Sequence, residues 1–225
     1  MGGKLHYVDR MRPPATVLFD LDGTLIDSVE LIIDSYHHTF QHHGLSPTSR
    51  EELIDGIGTP LVTVFSRLTD NRVEIDRWIA TYREFNLAHH DSRVRAFPGV
   101  VAMVQRIHRA GRRLGVVTSK NNAGARRGLS LIGIEELISV VVGADDVTRH
   151  KPDPEPVERA LASLGCLAVD AVFIGDSHHD VASGKAAGVH TIAVCWGPIT
   201  RDRLALAEPD HLCSSVEEVI SALGL

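Results

Sequence analysis

Lysine is scarce in this chain: Lys4, Lys120, Lys151 and Lys185 are the only four among 225 residues, and the rest of the basic charge is arginine. Positive charge is in deficit overall. The 23 Lys and Arg face 29 Asp and Glu, a net charge of −6, which is the wrong sign for a general nucleic-acid-binding surface. A single pocket can still be locally positive and hold a small anion. Cysteine is rare as well. Cys166, Cys195 and Cys213 are odd in number and lack paired spacing, which argues against a disulfide framework or a zinc knuckle and fits a reducing cytoplasm. No apolar run approaches the ~18 residues of a membrane-spanning helix, so no membrane partner is expected. Residues 1–14 are polar, with Asp9, Arg10 and Arg12; they lack the apolar core of a signal peptide and read as a leader before the first strand. What remains is 44% hydrophobic and 23% charged, an ordinary globular composition of one or two domains.

The apolar run Val17-Leu18-Phe19 leads into Asp20-Leu21-Asp22-Gly23-Thr24, the pattern of a buried strand running into a loop. A helix is expected from about Ser28 to His43, with Val29, Ile32, Ile33, Tyr36 and Phe40 on one face. Asp27 or Ser28 is placed to cap it, and Gly44 to end it. Three further helices are expected near 49–55, 60–69 and 72–91. After Pro98-Gly99 the pattern becomes helix–strand alternation, with strands near 114–118, 139–142, 171–175 and 190–194 and helices near 99–110, 122–132, 154–164 and 180–187. Short apolar strands alternating with helices imply a parallel sheet covered on both faces. The expected fold class is therefore α/β: a doubly wound, Rossmann-like core (15–26 and 96–225) interrupted early by an all-helical insert (27–95).

Ligands in such sheets bind beyond the C-terminal ends of the strands. The polar residues there are Asp20 and Asp22, then Thr118, Ser119 and Lys120, then Lys151, then Asp176 and Asp180. A carboxylate at a strand tip, Asp20, can attack phosphorus as a nucleophile. Asp22, where the chain leaves the strand, can protonate the leaving oxygen and then deprotonate water. Gly23 permits close backbone approach to a phosphoryl group. Carboxylates gathered in one pocket call for a hard divalent cation such as Mg²⁺, with Asp20 and Asp176 as side-chain ligands. Lys151 supplies positive charge, Thr118 a hydroxyl to a phosphate oxygen, and Asp180 support from behind. Each residue alone has a bland reading as a turn former, helix cap or strand end; the ordered combination does not.

That combination resembles the haloacid-dehalogenase superfamily of phosphatases, through FDLDGTL at 19–25, VVTSK at 116–120, KPDPEP at 151–156 and IGDSHHD at 174–180. The resemblance implies Asp20 as nucleophile, Asp22 as acid/base, Thr118 and Lys151 as phosphate holders, and Mg²⁺ on Asp20, Asp176 and the Asp22 main-chain carbonyl. The helical insert would be a cap of the C1 type, hinged near Ile26–Asp27 and Arg95–Phe97. Asp22 disfavours the dehalogenase branch, the absence of lysine between Asp27 and Arg95 disfavours phosphonate hydrolases, and Leu31 and Ile32 after Glu30 disfavour the sugar phosphomutases.

A closer resemblance is to PpaX-type pyrophosphatases, through 23–40, 82–91, 151–161 and 175–180, with phosphoglycolate phosphatases sharing the general pattern. It departs at Ser177, where Asn is expected, and at Asp55, on a loop expected to face the substrate. The reaction expected is hydrolysis of a small phosphorylated substrate through an aspartyl-phosphate, on pyrophosphate, with phosphoglycolate or another small monoester as the alternative and a non-catalytic phosphate-binding regulator as the alternative of another class. Gly58 in the loop 56–60 offers backbone N–H to an anion, and Ser119 stands beside Thr118 as a further phosphate contact. The i, i+4 pair His38 and His42, with His37, His43, His89 and His90, reads as a histidine-rich helix surface rather than a metal site, and His178 and His179 as border residues of the site. Arg72, Arg77, Arg83, Arg93 and Arg95 are basic residues in or near the insert, mostly on solvated faces. Cys195-Trp196-Gly197 reads as packing and turn.

Overall fold

The computed structural model describes residues 14–225; the expected leader lies almost wholly outside the described residues. The sheet strands are β1 (Thr16–Phe19), β4 (Arg113–Val117), β5 (Val140–Val142), β6 (Ala171–Gly175), β7 (His190–Val194) and β8 (His211–Cys213). Two short strands, β2 (Ile26–Asp27) and β3 (Arg95–Ala96), pair antiparallel apart from it. The six-stranded sheet runs β5-β4-β1-β6-β7-β8, with every pairing parallel. The chain builds outward from β1 to β5 and then returns to β6 on the other side of β1. That reversal opens a crevice at the strand ends beside β1.

The strands form because both faces are buried. Side chains alternate along a strand, so Val17 and Phe19 join Leu114, Val116, Val172 and Ile174 in one core layer, while Leu18 joins Val117, Phe173 and Leu161 in the other. Val17, Leu18 and Phe19 are wholly buried, each contributing roughly 1.5–3 kcal/mol of apolar burial. The flanking helices are α5 (Val100–Arg109), α6 (Asn122–Leu131), α7 (Glu155–Leu164), α8 (His178–Ala186), α9 (Arg201–Ala205) and α10 (Val216–Ala222).

Between β2 and β3 lie α1 (Val29–His43), α2 (Arg50–Gly56), α3 (Leu61–Phe65) and α4 (Arg72–Arg93). They bury their own cluster: Ile32, Ile33, Tyr36 and Phe40 of α1 against Phe65, Trp78 and Tyr82, with the Tyr36 and Tyr82 rings 4.8 Å apart. Gly44 ends α1 in the left-handed region, φ 64°. In β2 and β3, Ile26 pairs with Ala96 and Asp27 with Arg95, and Phe97 N–H donates to the Leu25 carbonyl. The two connections of the insert thus cross side by side, where the hinge was expected.

Several expectations need correction. Ser28 does not cap α1 with its side chain; its hydroxyl goes to Asp22 instead. The helix expected over 60–69 stops at Phe65, because Arg67 and Leu68 close tight turns onto Val64 and Phe65. The helix expected from 180 begins two residues earlier, since Ser177 caps it and Asp180 returns the bond. β8, α9 and α10 follow the last strand expected from the sequence.

Candidate active site

Asp20 leaves the tip of β1 with its N–H bound to the Ile174 carbonyl of β6 at 2.8 Å, so its position is fixed by the sheet. Lys151 reaches it from the loop before α7. The Lys151 Nζ donates to Asp20 Oδ1 at 2.8 Å, to Asp180 Oδ1 at 2.6 Å and to the Val117 carbonyl at 3.4 Å. Its side chain is 1% exposed. Asp180, in the first turn of α8, receives at Oδ2 both the N–H and the hydroxyl of Ser177, at 3.0 and 2.6 Å. Asp176 follows β6 and accepts the Thr24 hydroxyl at 2.7 Å. Two glycines cradle it. A Cβ on Gly23 would collide with the Asp176 carboxylate, and one on Gly197 would stand 2.5 Å from its Cβ and 2.7 Å from Oδ2. The Trp196 indole N–H donates to the Thr24 carbonyl at 3.0 Å and pins this loop to the one after β1.

Three buried carboxylates and one ammonium leave the cluster with excess negative charge. Burial raises the Asp20 carboxyl, which Lys151 only partly offsets. Asp176 is raised further, by burial and by the charges of Asp20 and Asp180. Burial alone would lower Lys151, but Asp180 and Asp20 outweigh it and hold the ammonium charged. One oxygen from each of Asp20, Asp176 and Asp180 falls within 4.8 Å of the others. A hard dication fits such an oxygen set, and it would relieve the repulsion that burial makes costly. Asp180 has both oxygens engaged by Lys151 and Ser177, which leaves Asp20 and Asp176 as the freer donors.

Asp22 behaves oppositely. Burial would raise it, but Lys120 Nζ at 2.8 Å and the Ser28 hydroxyl at 2.6 Å favour its charged form, and its pKa is lowered. Thr118 is buried, and its Oγ1 accepts the Lys120 N–H at 3.2 Å, so its hydroxyl hydrogen is free to donate. Ser119 donates its hydroxyl to the Gly58 carbonyl of the insert. It therefore ties the two sides of the cavity together in this structure, a different use from the expected phosphate contact. Gly58 is left-handed, φ 88°, and its added Cβ would lie 3.7 Å from the Ser177 hydroxyl. Asp20, Asp22, Thr118, Ser119, Lys120 and Gly58 all line one cavity of about 570 Å³ between sheet and insert.

Known proteins carry the same frame. The sequence profile of the haloacid dehalogenase-like hydrolases matches residues 17–194. The chain belongs to that family. It is 41% identical over 210 residues to a protein named pyrophosphatase PpaX from Anoxybacillus flavithermus, covering 93% of this chain and 97% of that one. It is equally similar to the protein of the same name from Halalkalibacterium halodurans. Among solved structures, a predicted phosphatase from Clostridium acetobutylicum superposes with a TM-score of 0.85 at 26% identity, over 95% of this chain and 100% of that one. A predicted phosphoglycolate phosphatase from Haemophilus somnus shares the fold, with a TM-score of 0.82 at 21% identity, over 94% and 98% of the two chains.

In this hydrolase, Asp20, Asp22, Thr118, Lys151, Asp176 and Asp180 do converge, although they are spread over 160 residues of chain. Asp55 does not join them. It lies at the end of α2 and pairs with Arg203 of α9 at 2.6 Å, which corrects its expected place facing the substrate. Of the five arginines singled out, Arg72 and Arg83 line the cavity; Arg93 pairs with Asp34 and Arg95 binds main-chain carbonyls. His38 stacks on Phe85 at 4.5 Å, a packing role. His178 and His179 stack on each other at 4.0 Å beside Asp180, and burial lowers the His179 ring to about 4. Two residues gained importance only in space, Trp196 on Thr24 and His90, which lines the cavity from the insert; Lys120, already among the strand-end residues, gains a specific partner in Asp22. The scarcity of lysine was the available signal for Lys120. Nothing in the sequence singled out His90 from its histidine neighbours.

Proposed function

We propose that the chain is a Mg²⁺-dependent phosphohydrolase that acts on inorganic pyrophosphate through an aspartyl-phosphate at Asp20. The observation that carries this reading is the buried Lys151 clamp on Asp20 and Asp180 at the strand tips, with Asp22 two residues away in the wall of the same cavity. Lys151 occupies Asp20 Oδ1, which orients the carboxylate and leaves Oδ2 to attack phosphorus. The leaving oxygen takes a proton from Asp22, which Lys120 and Ser28 hold ionised in this structure and which must take up that proton as the anionic substrate enters. Asp22, now ionised and stabilised by Lys120 and Ser28, then takes a proton from the water that attacks the acyl phosphate. Thr118 and Lys151 donate to the phosphoryl oxygens, and the Gly23 backbone approaches them closely. Asp20, Asp176 and the Asp22 main-chain carbonyl are assigned to Mg²⁺; the glycine cradle around Asp176 supports this set. Bound there, the ion would supply positive charge to the carboxylates and the phosphoryl group.

Residues 27–95 act as a cap over a core of 15–26 and 96–225, hinged at β2 and β3, so that closure excludes bulk water during chemistry. The three free cysteines fit a reducing cytoplasm, and among the described residues no helix is long and apolar enough to cross a membrane. Pyrophosphate is favoured by the relatives named for that activity. A second reading, a small phosphomonoester, is favoured by the cavity itself, which is larger than pyrophosphate requires and has Ile57, Leu61, Ile79 and Leu87 in its wall.

The test is phosphate release with Mg²⁺ from pyrophosphate, 2-phosphoglycolate and a panel of sugar and nucleotide phosphates, with Asp20→Asn alongside. A preference for pyrophosphate of at least about tenfold in kcat/KM, about 1.4 kcal/mol, supports the first substrate. A preference for a monoester replaces it with the second. Retained Mg²⁺-dependent activity in Asp20→Asn overturns the mechanism, and no turnover of any substrate with phosphate still bound supports a regulatory protein.

A further inference from the structure

The end of α2 and the loop after it meet the core on two sides. On the inner side, residues 56–60 all belong to the wall of the cavity that holds Asp20 and Asp22. The Gly58 carbonyl accepts the Ser119 hydroxyl, and a Cβ on Gly58 would stand 3.7 Å from the Ser177 hydroxyl and 3.8 Å from the His179 ring. On the outer side, Ile54 packs on a core cluster of Val181, Ala193, Ile199 and Leu204. It packs on the insert's own cluster as well, so one side chain bridges the two. The next residue, Asp55, accepts at Oδ1 from Arg203 Nη1 of α9, at 2.6 Å.

Asp55 stands in the last turn of α2, where the helix dipole disfavours a carboxylate. Its own helix therefore does not account for its charge; Arg203 across the seam does. Both side chains are about half exposed, 48% for Asp55 and 47% for Arg203, and a pair of that kind adds little to overall stability. What it supplies is direction. With Ile54 seated next to it, the pair sets which way the end of α2 faces, and the residues that follow are the cavity wall. A weak pair also releases readily, as a contact that forms and breaks in each catalytic cycle must.

We propose that Asp55 and Arg203 are positioning residues that seat the loop 56–60 over the site when the insert closes, with α9 as the platform on which the end of α2 docks. The role at the site rests on the phosphohydrolase reading above and deepens it; the docking itself does not depend on it. Substrate then binds the docked form, and any undocked fraction weakens apparent affinity while leaving the chemistry of the closed form unchanged.

The experiment compares wild type with Asp55→Arg, Arg203→Asp and the Asp55→Arg/Arg203→Asp double variant, each with its melting temperature. Both positions are exposed, and Asp55→Arg puts a cation where the dipole favours one, so melting temperatures should stay close to wild type. The first measurement, hydrogen exchange of the peptide covering 56–60, needs no substrate. Each single variant should exchange that peptide at least about threefold faster, and the double variant should return to within about twofold of wild type, because the pair re-forms with its signs exchanged. The second measurement is kcat and KM with Mg²⁺ for pyrophosphate and for 2-phosphoglycolate. On the substrate that is hydrolysed, each single variant should raise KM at least about threefold and change kcat less than about twofold, and the double variant should recover KM. Single variants that exchange like wild type, or a double variant no better than the singles, overturn the proposal. Faster exchange with unchanged KM overturns it too, since the pair would then be structural only. Should either charge reversal not fold, Asp55→Asn and Arg203→Gln take its place, with the same directions expected. A wild type that hydrolyses neither substrate overturns the phosphohydrolase reading and the role at the site with it; an active wild type with unaffected variants overturns this proposal alone.

Discussion

Asp20 and Asp22 are two residues apart and are pushed in opposite directions by their surroundings. Burial raises Asp20, while Lys120 and Ser28 overcome the same burial at Asp22 and lower it. That order is the reverse of what a nucleophile and a general acid need: a bound cation would favour the Asp20 carboxylate, and a proton must reach Asp22 with the anionic substrate. Asp91 gives the cleanest pH prediction, because it stands apart from the carboxylate cluster. Hydrogen bonds from Arg127 and His90 push it down to about 2. A carboxyl with a lowered folded-state pKa stabilises the fold fully above its unfolded value of about 3.9 and loses that stabilisation as pH falls through the folded value. The melting temperature of wild type should therefore exceed that of Asp91→Asn by a constant margin from about pH 8 to 5, and the margin should vanish toward pH 2. A margin that grows on acidification contradicts the assignment.

Single elements carry the site by what they leave out. Gly197, after β7, needs no left-handed backbone, and the nearest obstacle to an alanine there is the Asp176 side chain, at 2.5 Å. Gly197→Ala should displace that carboxylate and lower kcat/KM by about tenfold to a hundredfold, since misplacement on the order of 1 Å costs that much. Isothermal titration should show weaker Mg²⁺ binding in the same variant. Unchanged activity and Mg²⁺ affinity would remove Asp176 from the metal set.

The elements differ in how plainly the sequence announces them. β1, β4, β6 and β7 are buried on both faces and read as short apolar runs. β8, His211-Leu212-Cys213, is an edge strand of only three residues whose side chains are half-buried apart from Cys213, and β2 and β3 have two residues each. Such strands exist because tertiary pairing selects them, and no periodicity can show through. α10 is different: Ser215 and Glu218 at its start are a cap signal that the sequence itself carries. Of the site, the carboxylates and Lys151 were legible because strand ends bring them together in any doubly wound sheet. Lys120 stood among the same strand-end residues, though not as the partner of Asp22; the Arg127–Asp91–His90 chain was not legible, because it joins segments whose relative placement only the folded chain decides.

At the scale of the molecule, insert and core share apolar contacts, with Leu31 in the core cluster and Phe85 packed on it, and a few polar ties: Arg127 with Asp91, Arg203 with Asp55, the Ser28 hydroxyl on Asp22 and the Ser119 hydroxyl on the Gly58 carbonyl. The two ion pairs are exposed and individually weak. A seam of this kind suits a cap that must open to admit substrate and close before chemistry, with the β2–β3 pair as its pivot. The proposed reaction turns on one event at Asp20. Borohydride reduction during turnover, followed by mass spectrometry of the peptide containing residue 20, tests that event most directly, because reduction of an aspartyl-phosphate leaves homoserine in its place. Homoserine at position 20 is the predicted result, formed only with substrate and Mg²⁺, and in Asp22→Asn, which lacks both the acid of the first step and the base of the second, it should form more slowly but persist longer after substrate is removed. Continued hydrolysis with Asp20 unmodified in both proteins, or homoserine at another aspartate, would contradict the account.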